Sequence, residues 1–124
     1  MERKYYLFFG IVIAVAAIAA ILLNTFQNIP GNEPKWVRDL IANELDGPVA
    51  NPPASLTKCT YRGGTVYYLP SRCCDIPGVL YDEQGGVICA PEGGFTGSGD
   101  GRCPDFFDER AGCEIIWKDF RSNP

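Results

Sequence analysis

Four kinds of residue in this chain have side chains and spacings that could do chemistry: six cysteines, a glycine-rich loop, clustered carboxylates and several tyrosines. Histidine is absent. That removes Ser-His-Asp and Cys-His nucleophile pairs, the commonest general base and His-containing metal sites. The cysteines are Cys59, Cys73, Cys74, Cys89, Cys103 and Cys113, and none lies in the apolar N-terminal stretch. Redox-active dithiols generally use C-x-x-C at a helix N-terminus, a spacing this chain lacks. Zinc is disfavoured because exported chains with an even cysteine count oxidise them. Three structural disulfides are therefore expected, from fifteen conceivable pairings. Adjacent Cys73 and Cys74 are not expected to bond each other, because the ring so formed is strained. A bridge such as Cys74 to Cys89 closes a loop of about fifteen residues and adds up to roughly 3 kcal/mol.

The glycine-rich loop reads GGFTGSGDG over residues 93–101. As a phosphate cradle it lacks the Lys-Ser/Thr that must follow and does not lead from a strand into a helix. The dinucleotide fingerprint fails for the same reason. Calcium is a candidate ligand, with Asp100, Asp105 and backbone carbonyls as oxygen donors, but the carboxylates are too few for the helix–loop–helix calcium site. A plain structural turn is the blander reading. A third is a contact loop made by Gly93, Gly94, Phe95, Thr96, Gly97, Gly99 and Asp100. A protease-inhibitory variant of it puts Phe95 or Arg102 into a protease pocket.

Asp105 with Asp108 and Glu109, or Asp82 with Glu83, could pair as acid and base for glycoside hydrolysis. Carboxylates gathered in turns more often form a solvated face, and so small a domain leaves little room for a cleft. No enzyme activity is expected. Tyr61, Tyr67, Tyr68 and Tyr81 could line a binding face. At alternate strand positions, a split between core and surface is the simpler expectation.

The elements that must position these residues follow from periodicity. Residues 5–23, YYLFFGIVIAVAAIAAILL, carry no charge and as a helix span roughly 28 Å, close to the bilayer core. Arg3 and Lys4 precede them, which predicts a cytoplasmic N-terminus. The length of the run, with small-x-small sites such as Ala14-Val15-Ala16 inside it rather than after it, predicts an uncleaved anchor rather than a cleaved signal. Residues 24–33 read as a linker around Pro30-Gly31. A helix is predicted from Asn32–Pro34, with Asn as a cap candidate, an apolar face of Trp36, Val37, Leu40, Ile41 and Leu45, and a stop at Gly47-Pro48. From Leu56 the period changes to two. LTKCTYR and TVYYLP flank a Gly63-Gly64 turn, GVLYDEQGGVICA forms a second hairpin, and EIIWKDF (114–120) closes the sheet. Asp105–Arg110 is predicted as a helical turn. The sum is an α+β domain: one helix on an antiparallel sheet of four or five strands, stapled by disulfides.

Several motifs carry a family resemblance: Trp36…Leu40-Ile41, Tyr61-Arg62-Gly63-Gly64-Thr65-Val66-Tyr67-Tyr68, Cys73-Cys74-Asp75, Leu80-Tyr81-Asp82, Gly86-Val87-Ile88-Cys89, the Gly93–Phe106 run (GGFTGSGDGRCPDF) and Ile116-Trp117-Lys118-Asp119. Over about residues 34–121 the chain resembles a family of uncharacterised small extracytoplasmic prokaryotic domains, a domain of unknown function, often held by a lipid or one membrane segment. This chain departs from it in lacking a lipidation cysteine, and Cys113 lies outside the shared pattern. The resemblance implies fold and location and no chemistry. The expected organisation is an anchor over 1–23, a linker over 24–33 and an extracytoplasmic domain over 34–124. The expected role is non-catalytic: an accessory subunit of an integral-membrane complex. The alternative is an anchored domain binding a ligand, calcium or an exported protein through the Gly93–Gly101 loop. Residues 24–124 hold nine Lys/Arg against fourteen Asp/Glu, so nucleic acid is not an expected partner.

Overall fold

A computed structural model describes residues 2–26, 31–73 and 75–121. Glu2–Phe26 form helix α1. Its segment Lys4–Ile21 has a mean hydropathy of 2.1 and is wholly unburied, so it is long and apolar enough to cross a bilayer, as a signal sequence also is. The helix runs past residue 23, to Phe26.

The folded domain begins with helix α2, Lys35–Asp46. Asn32 does not cap it. Pro34 holds the N-cap position with no side-chain hydrogen bond, and its carbonyl accepts from Val37 and Arg38 N–H. Proline suits this boundary because it has no N–H to leave unsatisfied. The predicted apolar stripe is the packed one: Val37 and Ile41 are buried, with Trp36, Leu40 and Leu45 partly so.

Five strands follow, β1 (Ser55–Tyr61), β2 (Gly64–Leu69), β3 (Val79–Tyr81), β4 (Val87–Cys89) and β5 (Ala111–Lys118), with a short helix α3 (Phe106–Glu109) before the last. They form one antiparallel sheet in the order β4-β3-β2-β1-β5. Because strand side chains alternate, the sheet feeds two cores. On one face Leu56, Tyr67, Leu69 and Trp117 pack with Val37 and Ile41 of α2. On the other, Cys59, Tyr61, Val66, Tyr68 and Leu80 pack with Cys103 and Phe106. Two clusters of ordinary size thus replace the single helix-side core that one helix alone would give.

Three local expectations are corrected. The first hairpin turns at Arg62-Gly63, not Gly63-Gly64, since Tyr61 pairs with Gly64. Both turn residues take positive φ, 48° at Arg62 and 79° at Gly63, as a tight hairpin requires. Arg62 tolerates this because its guanidinium bonds Asp105 and lies 4.8 Å from the Tyr61 ring centre. β5 starts at Ala111 rather than 114, and its pairing with β1 shifts register twice, between Leu56 and Thr57 and between Lys58 and Thr60. Finally, Cys89 bonds Cys103, not Cys74, and Cys59 bonds Cys113, which ties β1 to β5. Cys73 is also disulfide-bonded. The expectations for Cys74, including its relation to Cys73, lie outside the described residues.

Candidate partner-binding loop

Between β4 and α3 the chain makes a loop held by its own backbone. Gly93 N–H donates to Gly97 O, Gly97 N–H to Gly94 O, Gly99 N–H to Gly93 O and Asp100 N–H to Ala90 O, all within 3.1 Å. Gly93, Gly94, Gly97 and Gly99 all take positive φ. At Gly99 the need is absolute, because a Cβ there would strike the Ala90 carbonyl. The loop is seated by Glu92, whose carboxylate accepts from the Tyr68 hydroxyl and from Ser71 N–H, while Gly78 N–H donates to Glu92 O. Burial and the Glu92 carboxylate both push the Tyr68 phenol well above its usual range, so it stays a donor. At the tip stands Phe95, 98% exposed.

The candidate metal ligands are otherwise engaged. Asp100 accepts from Arg102 N–H and from Arg102 Nε at 2.6 Å. Asp105 accepts from the Tyr61 hydroxyl at 2.7 Å and Arg62 Nη2 at 2.9 Å. These donors hold both carboxyls below the usual carboxylate range: the Arg102 N–H chiefly at Asp100, the Tyr61 hydroxyl and then Arg62 at Asp105. Among the described residues no three carboxylates or cysteines gather as a metal site. Asp82 is likewise spent on its own turn, accepting from Gln84 and Gly86 N–H.

The tyrosines form no open binding face. Tyr61, Tyr67 and Tyr68 are all buried and Tyr81 half-buried. Their hydroxyls find carboxylates instead: Asp105 for Tyr61, Glu33 for Tyr67 and Glu92 for Tyr68. The sequence places Glu33 in the linker. Its side chain is only 9% exposed and also takes the Lys58 ammonium at 2.9 Å. Nothing in the local sequence marks it, because its partners lie 25 and 34 residues away.

An open cleft of about 470 Å³ lies at the end of α2. The end of α2, the Pro48–Asn51 segment, Arg72, Cys73 and Ile76 line it, and Arg72 and Glu44 in its wall form an ion pair at 2.5 Å. Ile76 belongs to both features, since its carbonyl is one of the atoms packed closest to Gly93.

A small disulfide-bonded α+β domain behind one apolar N-terminal helix is therefore the class of protein defined by fold and loop. The chain belongs to the family described as a domain of unknown function, DUF6970, whose family model matches residues 42–119. No curated protein and no solved structure matches it. The matched span opens inside α2 and closes two residues short of Arg121.

Proposed function

We propose that this chain is a non-catalytic, membrane-anchored binding domain: α1 spans the membrane with its N-terminus in the cytoplasm, and the disulfide-bonded domain outside holds an exported protein through the Gly93–Gly101 loop. One observation carries this reading. A bulky aromatic, Phe95, stands fully exposed on a loop that four backbone hydrogen bonds hold rigid. Pre-ordering a large apolar side chain removes most of the entropy that binding would otherwise cost. Arg3 and Lys4 before the apolar run support the orientation. Disulfides among the described cysteines support an oxidising compartment. The reading needs no cofactor. Calcium would have to displace arginines from Asp100 and Asp105.

An accessory-subunit role is the second reading, and α1 favours it. Shallow apolar grooves lie on both sides of Gly10, bounded by Tyr5, Phe9 and Ile13 on one side and Leu7, Ile11 and Ala14 on the other. A neighbouring helix can approach closely at such a place. Mild detergent extraction from the native membrane, followed by native mass spectrometry, tests both readings. A constant-ratio companion lost on Phe95→Ala but kept on Gly10→Leu supports the loop. The reverse pattern supports the helix. A lone monomer of uncleaved mass overturns both.

A further inference from the structure

The point where the chain leaves for the membrane and the point where Phe95 is displayed lie diagonally across the domain. Glu33 is fixed on the α2 face of the sheet by Tyr67 and Lys58. Immediately after it, Trp36 Nε1 donates to Glu83 O at 2.9 Å, which sets the start of α2 against the β3–β4 turn. The glycine loop is fixed at the other end of that hairpin, just before β3, by Gly78 N–H to Glu92 O. It is also on the other face, because Glu92 is held by Tyr68, and adjacent strand residues point to opposite faces. From Phe26 at the end of α1 to Glu33 there are only seven chain steps, which reach at most about 25 Å. The end of the domain near Glu33 is thus kept close to the bilayer.

The charge of the loop points the same way. Residues 90–101 carry Glu92 and Asp100 and no Lys or Arg. A loop of that composition does not suit an anionic lipid surface, which attracts basic segments.

Resting on the binding-domain reading, we infer that the Phe95 loop is carried on the side turned away from the membrane, and that its partner is a water-soluble extracytoplasmic protein with an apolar pocket for one aromatic ring, not lipid.

The test uses the full chain in phosphatidylcholine/phosphatidylglycerol vesicles, with and without acyl-chain bromination. Phe95→Trp places a fluorophore at the tip, and Tyr6→Trp places one in α1. Each is read as the difference from the parent, whose two tryptophans contribute equally to both. The expected result is strong bromine quenching of Tyr6→Trp and none of Phe95→Trp, with Phe95→Trp fully open to acrylamide. Bromine quenching of Phe95→Trp overturns the inference while the anchor stands. No quenching of Tyr6→Trp overturns the anchor itself, and the inference with it.

Discussion

Arg121 Nη1 donates to the Leu45 carbonyl at 2.7 Å, so the end of the folded chain closes the end of α2 across 76 residues of sequence. The same guanidinium reaches Gly47 O and Glu44 O and is steadied by Asp119, whose side chain is 2% exposed. α2 has no basic residue in its last turn, and Gly47 is extended rather than left-handed. Arg121 therefore supplies both the donors and the positive charge that a helix C-terminus lacks.

The folding unit is accordingly wider than the span by which the family is matched. A fragment of residues 42–119 omits Trp36, Val37, Ile41 and Arg121, and is expected to show no cooperative thermal transition by near-UV circular dichroism. A fragment of residues 31–121 is expected to melt cooperatively. In the full chain, Arg121→Ala is expected to lower Tm by roughly 5 °C.

Acid should loosen the clamp at Glu33. Burial raises its pKa, but the Tyr67 and Lys58 hydrogen bonds outweigh burial and leave it below its ordinary 4.5. A lowered folded value means stability that is complete above pH 4.5 and is lost as pH falls through the folded pKa. Glu33→Gln should be less stable than the parent at neutral pH. The difference should shrink below pH 4, and urea unfolding across that range measures it. At the alkaline end the raised Tyr67 phenol, with burial as its main cause, acts in the opposite sense: its contribution holds below pH 10 and fades above.

Two glycines of the loop separate strain from collision. Gly97 has positive φ and open space around its Cβ position, so Gly97→Ala should cost roughly 1–2 kcal/mol. Gly99→Ala adds a clash with the Ala90 carbonyl, and should cost more and open the loop. Limited proteolysis within residues 93–101 should rise for Gly99→Ala and stay near the parent for Gly97→Ala.

The Cys59–Cys113 and Cys89–Cys103 bridges differ in access. Cys89 and Cys103 are buried, whereas Cys113 lies in the exposed run of β5. A graded dithiol titration read by alkylation and mass spectrometry should reduce Cys59–Cys113 before Cys89–Cys103. The accessible bridge also spans more chain, 54 residues against 14, which in the loop-entropy account makes it worth about 4 kcal/mol against 3. Its reduction should lower Tm substantially while Cys89–Cys103 remains closed.

What the sequence made legible was whatever is written locally. The stripe from Trp36 to Leu45, both hairpins and the turn near Phe106 are periodic or punctuated by glycine, and all are present. What it concealed was written at a distance. The positive φ of Arg62 depends on Asp105, 43 residues on, and no rule of turn composition puts arginine there. Glu33 lies in the stretch that reads as linker and Arg121 just past the last strand, and only the folded partners give them roles. The loop itself was legible as a loop. Its stiffness was not, because that depends on which carbonyl each glycine N–H meets.

The two register shifts in β5 carry a last consequence. β5 is an edge strand, and an open eight-residue edge bearing the exposed Ile115 is the kind of template on which copies zip into aggregates. Each shift twists the edge and breaks the run of evenly spaced donors and acceptors that such zipping needs. The irregular pairing that secures β5 to its own sheet thus also makes its free edge a poor template for a second copy.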